Sequence, residues 1–235
     1  VDGWKLDAID PYIMLAKSRN PVEGIGQVLM GAMNSNSEAR KTWDKYRNSY
    51  YGDFLEYSHQ YTGKKIVITA RPVDTLEYTG MQFSFAPYSA SFAGWVGDQD
   101  GNWSGLAAAI SNMKESAKRN FLSFGSDTTG FRSSGGMRDP ELFIRWTQLS
   151  TFNGVFENGG SGEHRPWFYN QEVLDSYRKA VKLHHSLVPY IYSSAAWAFE
   201  NGHSLYVNLE STGTSPPKPH QWDYFFGPNL FIASI

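Results

Sequence analysis

The chain of 235 residues contains no cysteine, no run of 18 or more apolar residues and no marked excess of either charge sign. Each shortage excludes something. Without cysteine there is no disulfide framework, no thiolate metal site and no cysteine nucleophile. Without a long apolar run, no segment reads as a membrane-spanning helix. The 21 Lys and Arg stand against 23 Asp and Glu, a net charge of -2. That balance offers no basic stripe for nucleic acid or an anionic membrane, and neither is expected as a partner. Only 19% of residues are charged, whereas 41% are hydrophobic and 16% aromatic. Such a composition folds around a core.

Five short apolar segments recur, at residues 3–7, 65–71, 92–98, 120–127 and 152–157, and they end on Asp7, Arg71, Asp98, Asp127 and Glu157. They read as buried parallel strands. Helical periodicity fills most intervals, over residues 37–60, 103–118 and 140–150, and a longer helix is expected over 171–199. The alternation predicts an α/β fold with a parallel sheet. Strand ends at 71, 98, 127 and 157 follow one another at intervals of 27, 29 and 30 residues. An eight-stranded α/β barrel of about 250 residues averages roughly 31 per unit, with its active site at the carboxyl ends of the strands. No glycine-rich phosphate loop follows any strand, so no nucleotide site is expected.

Both ends of the chain, residues 3–7 and 230–235, lie in apolar strand-like sequence rather than in polar linkers, so a fragment of a longer protein is expected. Beyond about Gly202, residues 204–209 and 229–234 read as strands around a Pro-rich turn at 215–219. The expected division is a barrel portion over 1–202 and the start of a β-domain over 203–235.

Two strand-terminal carboxylates, Asp7 and Asp98, match the needs of glycoside hydrolysis: one to attack or stabilise an oxocarbenium-like centre, the other to protonate the departing oxygen. Strand-end carboxylates also bind metals, cap helices or pair with arginine, and spacing alone leaves these readings open. Trp4, Trp95, Trp103, Trp146, Trp167, Trp222, Phe131 and Tyr169 cluster around the strand ends and following loops. Aromatic rings stack on the C–H faces of sugars while polar groups fix the hydroxyls, although half or more of these rings are expected in the core.

The local strings resemble glycoside hydrolase family 31, the α-glucosidase and α-xylosidase family. Residues 3–10, Gly-Trp-Lys-Leu-Asp-Ala-Ile-Asp, are similar to its nucleophile segment, and Trp95-Val96-Gly97-Asp98 to its acid/base motif. Ala70-Arg71-Pro72 resembles the strand-end arginine, and residues 126–131 the following Asp-containing strand end. Pro140 to Trp146, residues 187–192 and residues 226–230 resemble the later helices and the start of the next domain. The resemblance runs in order along essentially the whole chain.

It implies about strands 4 to 8 of a (β/α)8 TIM barrel followed by the start of an all-β domain, so that the missing N-terminal half of the barrel is itself a partner. The implied activity is a retaining, exo-acting α-glycosidase on terminal α-linked glucosides, xylosides or galactosides. Asp7 is then the nucleophile and Asp98 the acid/base, for which Asp98 needs a raised pKa aided by Trp95. Lys5, Arg71, Trp95, Asp127, Phe131 and His164 are implied to bind the oligosaccharide or glycoside, and no metal or cofactor enters. The rival readings are a catalytically silent sugar-binding relative and an isolated piece without activity, whose open sheet edges would favour aggregation.

The sequence also departs from the family. Gly159 stands where the family has a histidine that bonds sugar hydroxyls, with His164 as a possible replacement, and Ser126 stands where a histidine usually precedes the strand-end Asp. Residues 72–93 are turn-rich and distinctive. His184-His185 reads as a packed or solvated pair, since adjacent helical residues face different directions. Asn102-Trp103-Ser104 is a formal glycosylation sequon read as chance, and Ser133-Ser134 lacks the context of a nucleophile.

Overall fold

A computed structural model of the chain describes residues 2–7, 21–34, 36–75, 80–133, 135–208 and 220–233. The expectations that fall on Asp10, Ser134, Leu209, Ser234 and the turn at 215–219 lie outside these residues. The chain divides into two compact units, Val1–Phe92 and Ala93–Ile235.

In the first unit, β1 (Gly3–Lys5) pairs in parallel with β2 (Val67–Thr69), with Trp4 opposite Ile68. Between them lie α1 (Pro21–Met33) and α2 (Glu38–Thr62), which pack on each other. α2 begins where the extended Ser37 accepts from the Arg40 N–H, and ends at Gly63, whose left-handed φ of 65° lets its N–H bond to the His59 carbonyl. Its buried Trp43 and Tyr51 meet Leu6, Ile66, Ile68, Phe83 and Phe85 in one apolar cluster. Fully burying a side chain such as Ile68 or Phe83 contributes about 1.5–3 kcal/mol.

α1 is absent from the sequence-based assignment. Gly24, Gly26 and Gly31 lie within it, and each lowers helix propensity by about 1 kcal/mol relative to alanine. The turn-rich stretch after Arg71 also contains a hairpin, β3 (Val73–Thr75) antiparallel to β4 (Gln82–Ser84), with Asp74 opposite Phe83. Two further bonds tie it down: Phe85 N–H to the Pro72 carbonyl at 3.1 Å and Ala86 N–H to the Arg71 carbonyl at 2.9 Å.

In the second unit, β5 (Ala93–Trp95) and β6 (Ser123–Gly125) pair in parallel and are joined by α3 (Trp103–Lys118). α4 (Pro140–Thr151) follows, N-capped by Asp139, and packs on α5 (Gln171–Glu200), N-capped by Asn170. Trp146 is wholly buried and donates its indole N–H to the buried Ser126 Oγ at 2.8 Å.

The fifth expected strand, residues 152–157, is not a strand. It is reduced to one parallel bridge between Asp127 and Glu157. The reason is local: α4 runs to Thr151, and Phe152 and Asn153 still donate back to Leu149 and Ser150, so few residues remain to extend a ladder. Every strand among the described residues is three residues long, and Asp7, Arg71, Asp98 and Asp127 stand two or three positions beyond their ends.

The C-terminal segment forms an antiparallel meander of β7 (Tyr206–Asn208), β8 (Tyr224–Phe226) and β9 (Leu230–Ile232). β8 was not among the expected strands. Leu205 N–H bonds to the Leu122 carbonyl at 2.8 Å. Tyr190 of α5 donates its hydroxyl to the Phe226 carbonyl at 2.7 Å and accepts from Asn229 N–H at 3.1 Å. The Leu-Val-Pro-Tyr string thus supplies an anchor for the meander.

Candidate active site

Parallel register explains the central contact of the first unit. Lys5 lies opposite Thr69, so residues two further along, Asp7 and Arg71, leave their strands side by side. Arg71 Nε donates to Asp7 Oδ1 at 2.7 Å, and Nη2 to Oδ2 at 2.9 Å. Two parallel charge-assisted bonds fix the angle of the carboxylate. The Asp7 side chain remains 41% exposed. Both of its oxygens are held by one guanidinium, and the side chain is still partly accessible.

The third nitrogen of Arg71 is also engaged: Nη1 donates to Asp74 Oδ2 at 2.8 Å, and Asp74 is 7% exposed. Tyr51 is buried nearby, and burial above all, then Tyr50 and Asp7, pushes its phenol pKa up. Lys5 and Trp4 are exposed on β1, with Trp4 Nε1 donating to Ser58 Oγ at 2.9 Å.

In the second unit, Trp95 ends β5 as a core residue, 2% exposed, and Asp98 stands three residues on, partly exposed. Between them Gly97 has φ 96°, a conformation that an L side chain resists, so the glycine of the Trp-x-Gly-Asp string is a backbone requirement. The loop after Asp98 is laced to the loop after Asp127. Arg132 N–H bonds to the Gln99 carbonyl at 3.0 Å, Gly101 N–H to the Arg132 carbonyl at 2.8 Å, and Arg132 Nε to Asp100 Oδ1 at 2.9 Å. Asp127 is buried at the bridge to Glu157, while Phe131 on the same loop is 38% exposed.

A residue absent from the sequence reading braces these loops. Arg138, 4% exposed, donates to the carbonyls of Thr129, Gly130 and Ser161 at 2.8 to 2.9 Å, and its Nη2 lies 3.0 Å from His164 Nε2. A methyl group at Gly101 or Gly162 would collide with its side chain. Among the described residues no carboxylate pairs with it, and burial lowers its pKa. Carbonyl dipoles supply the compensation. His164 is therefore buried in the brace, its pKa lowered by burial first and by Arg138 second. Nε2 lies 3.0 Å from Arg138 Nη2 and 3.1 Å from the Ser161 carbonyl, and Nδ1 lies 3.1 Å from Asn158 Oδ1 and 3.2 Å from Thr129 Oγ1.

Of the eight aromatic residues singled out, Trp95 and Trp146 are core, Trp222 and Tyr169 are half-buried, and Trp4, Trp103, Trp167 and Phe131 are exposed. His184 packs as expected of a structural histidine, Nδ1 2.9 Å from the Thr151 carbonyl and its ring against Phe156. Asn102 caps α3 through its side chain. Among the described residues no group of three or more His, Asp or Glu is arranged to hold a metal ion. Asp74 and Arg138 escaped the sequence reading. Only the three-residue spacing from Arg71, and the position of Arg138 just before the α4 cap, could have drawn attention to them.

The model of the glycosyl hydrolases family 31 TIM-barrel domain matches residues 1–194. An alpha-xylosidase of Saccharolobus solfataricus is 27% identical over 247 aligned residues, covering 100% of this chain and 32% of its own. A 1,6-alpha-glucosyltransferase of Sporosarcina globispora is 31% identical over 110 residues, 44% of this chain and 9% of its own. The chain thus spans about a third or less of the curated relatives it matches. Among solved structures, a cycloalternan-forming enzyme of Listeria monocytogenes in complex with a pentasaccharide substrate superposes with a TM-score of 0.70 at 18% identity, covering 86% of this chain and 19% of that one. A likeness at that identity concerns the fold, an α/β architecture with parallel strands, and the family match accounts for the order of the motifs. The chain belongs to glycosyl hydrolases family 31, to the TIM-barrel domain of that family.

Proposed function

We propose that the whole protein is a retaining, exo-acting glycosidase acting on terminal α-linked glucosides, xylosides or galactosides, with residues 1–202 forming the C-terminal portion of its barrel and 203–235 the start of a β-domain. The observation that carries this reading is the Asp7 carboxylate just beyond β1, oriented by two bonds from Arg71 and partly accessible, in a chain of this family.

In the first step an Asp7 oxygen attacks the anomeric carbon while Asp98, as the acid, gives its proton to the glycosidic oxygen. The C–O bond breaks, the alcohol departs, and a β-glycosyl ester remains on Asp7. In the second step the Asp98 carboxylate takes a proton from water, whose oxygen displaces Asp7 from the anomeric carbon, restoring both groups and the α-configuration. Arg71 orients the nucleophile. Lys5, Trp95, Asp127, Phe131 and His164 shape the sugar subsites, His164 and Phe131 through loops that Arg138 ties together.

A second reading replaces water by a sugar hydroxyl, giving transfer instead of hydrolysis. Relatives named 1,6-alpha-glucosyltransferase and isomaltosyltransferase favour it. The test is turnover of aryl α-glucosides, xylosides and galactosides by the full-length protein, with the product anomer followed by NMR and an activated 5-fluoroglycosyl fluoride used to trap the ester. The expected result is α-product first and label on the peptide containing Asp7. Sugar binding without turnover of any of them would replace the proposal by a silent binding protein, and disaccharide products would select transfer.

A further inference from the structure

Arg71 has one guanidinium and two carboxylates on it. Its Nε and Nη2 edge serves Asp7, and its Nη1 serves Asp74 at 2.8 Å. We propose that Asp74 is a positioning residue for the reaction at Asp7, aiming the guanidinium and offsetting its charge. The inference rests on the reading of Asp7 as nucleophile.

Asp74 is built to stay in place. It lies opposite Phe83 in the β3–β4 hairpin, and its Oδ1 accepts from the Thr75 N–H at 2.6 Å. The Arg71 backbone is fixed by the same hairpin, through the bond from Ala86 N–H to its carbonyl. A buried carboxylate on a rigid strand thus determines where the far end of the guanidinium points, and thereby where its other edge presents Asp7.

The charge argument has a definite direction. As Asp7 attacks, negative charge leaves its oxygens for the new ester bond. A cation committed to Asp7 alone stabilises the ground-state carboxylate more than the transition state and opposes attack. Asp74, on the opposite side of Arg71, shares the guanidinium's charge and leaves the Asp7 oxygens more nucleophilic. Other groups whose charge reaches this cluster are Tyr50, Tyr51 and Arg47, and Arg47 is itself 3.2 Å from Asp44.

The test compares D74N, D74E and D7N in the full-length protein, with active sites counted by the trapping reagent. D74N keeps an acceptor for Nη1 but removes the charge. Its kcat per active site is expected to fall roughly tenfold to a hundredfold, as misplacement or detuning near a reacting atom does, and the acidic limb of kcat/KM to move to lower pH. D74E is expected to return that limb to its original position. If D74N does not accumulate as folded protein, D74S reports the same limb. A D74N protein with unchanged kcat per site and an unchanged limb, in an enzyme that D7N inactivates, overturns the role of Asp74 alone. A D7N protein as active as the parent removes the nucleophile reading and this inference with it.

Discussion

Arg138 Nη2 lies 3.0 Å from His164 Nε2, and the two side chains together join the loop after Asp127 to the loop after Glu157. Burial and the adjacent guanidinium disfavour a charged imidazole here, and so depress the folded pKa of His164 below its ordinary value of 6.5. The unfolded chain then binds a proton that the folded chain refuses, so this contribution is complete above pH 6.5 and declines as pH falls from there towards the folded pKa. Glu163 acts in the opposite sense on the same ring. Thermal melting of the full-length protein is expected to drop between pH 7.5 and 5.5, with faster hydrogen exchange at residues 129–132 and 158–165. In H164Q that part of the pH dependence is expected to vanish; an identical pH slope in both proteins would exclude the role.

The hydroxyl of the buried Ser126 is the partner of the buried Trp146 indole. S126A leaves that N–H unsatisfied in the core, at a cost of about 1–3 kcal/mol. Denaturant midpoints of S126A and the parent measure it directly.

Glycine substitutions are expected to have opposite signs at two positions. Gly130 has φ 80°, and a methyl there would lie 2.7 Å from the Asp100 carbonyl oxygen. G130A is expected to destabilise by about 1–3 kcal/mol through strain, and to lower turnover because the loop bearing Phe131 moves against that of Asp98. Gly52 lies inside α2 with open space around its Cβ position. G52A is expected to stabilise by about 0.5–1 kcal/mol without changing kcat. Calorimetry and steady-state kinetics on both variants check the pair of signs.

Arg71 presents three of its nitrogens to carboxylates, which a lysine ammonium cannot reproduce. R71K is expected to lose roughly a hundredfold in kcat/KM, a loss of the size that mispositioned catalytic groups bring, while the protein remains folded by circular dichroism. A loss below threefold would mean that Arg71 acts as a charge and not as a clamp.

Much of the architecture was legible before the structure. The four long-patterned helices fall close to their expected bounds, because apolar periodicity and the caps Ser37, Asn102, Asp139 and Asn170 are local signals. Four of the five strand segments pair in parallel as read. What escaped has local reasons too. Three glycines disguised α1, the hairpin after Arg71 reads as turns, and the end of α4 consumed residues needed for a fifth strand. Asp74 and Arg138 carried no motif. Their partners are named only by the fold.

By itself the sequence determined the order of strands and helices, the positions of the strand-end carboxylates and the family to which they belong, since propensity, capping and motif strings act over a few residues. Only the tertiary structure decided that Arg71 serves Asp7 and Asp74 at once, and that His164 is buried against an arginine without a carboxylate partner among the described residues. The physical reason is that strand register and loop packing join residues far apart in the chain. The protonation and orientation of a side chain follow from those neighbours, not from its place in a string.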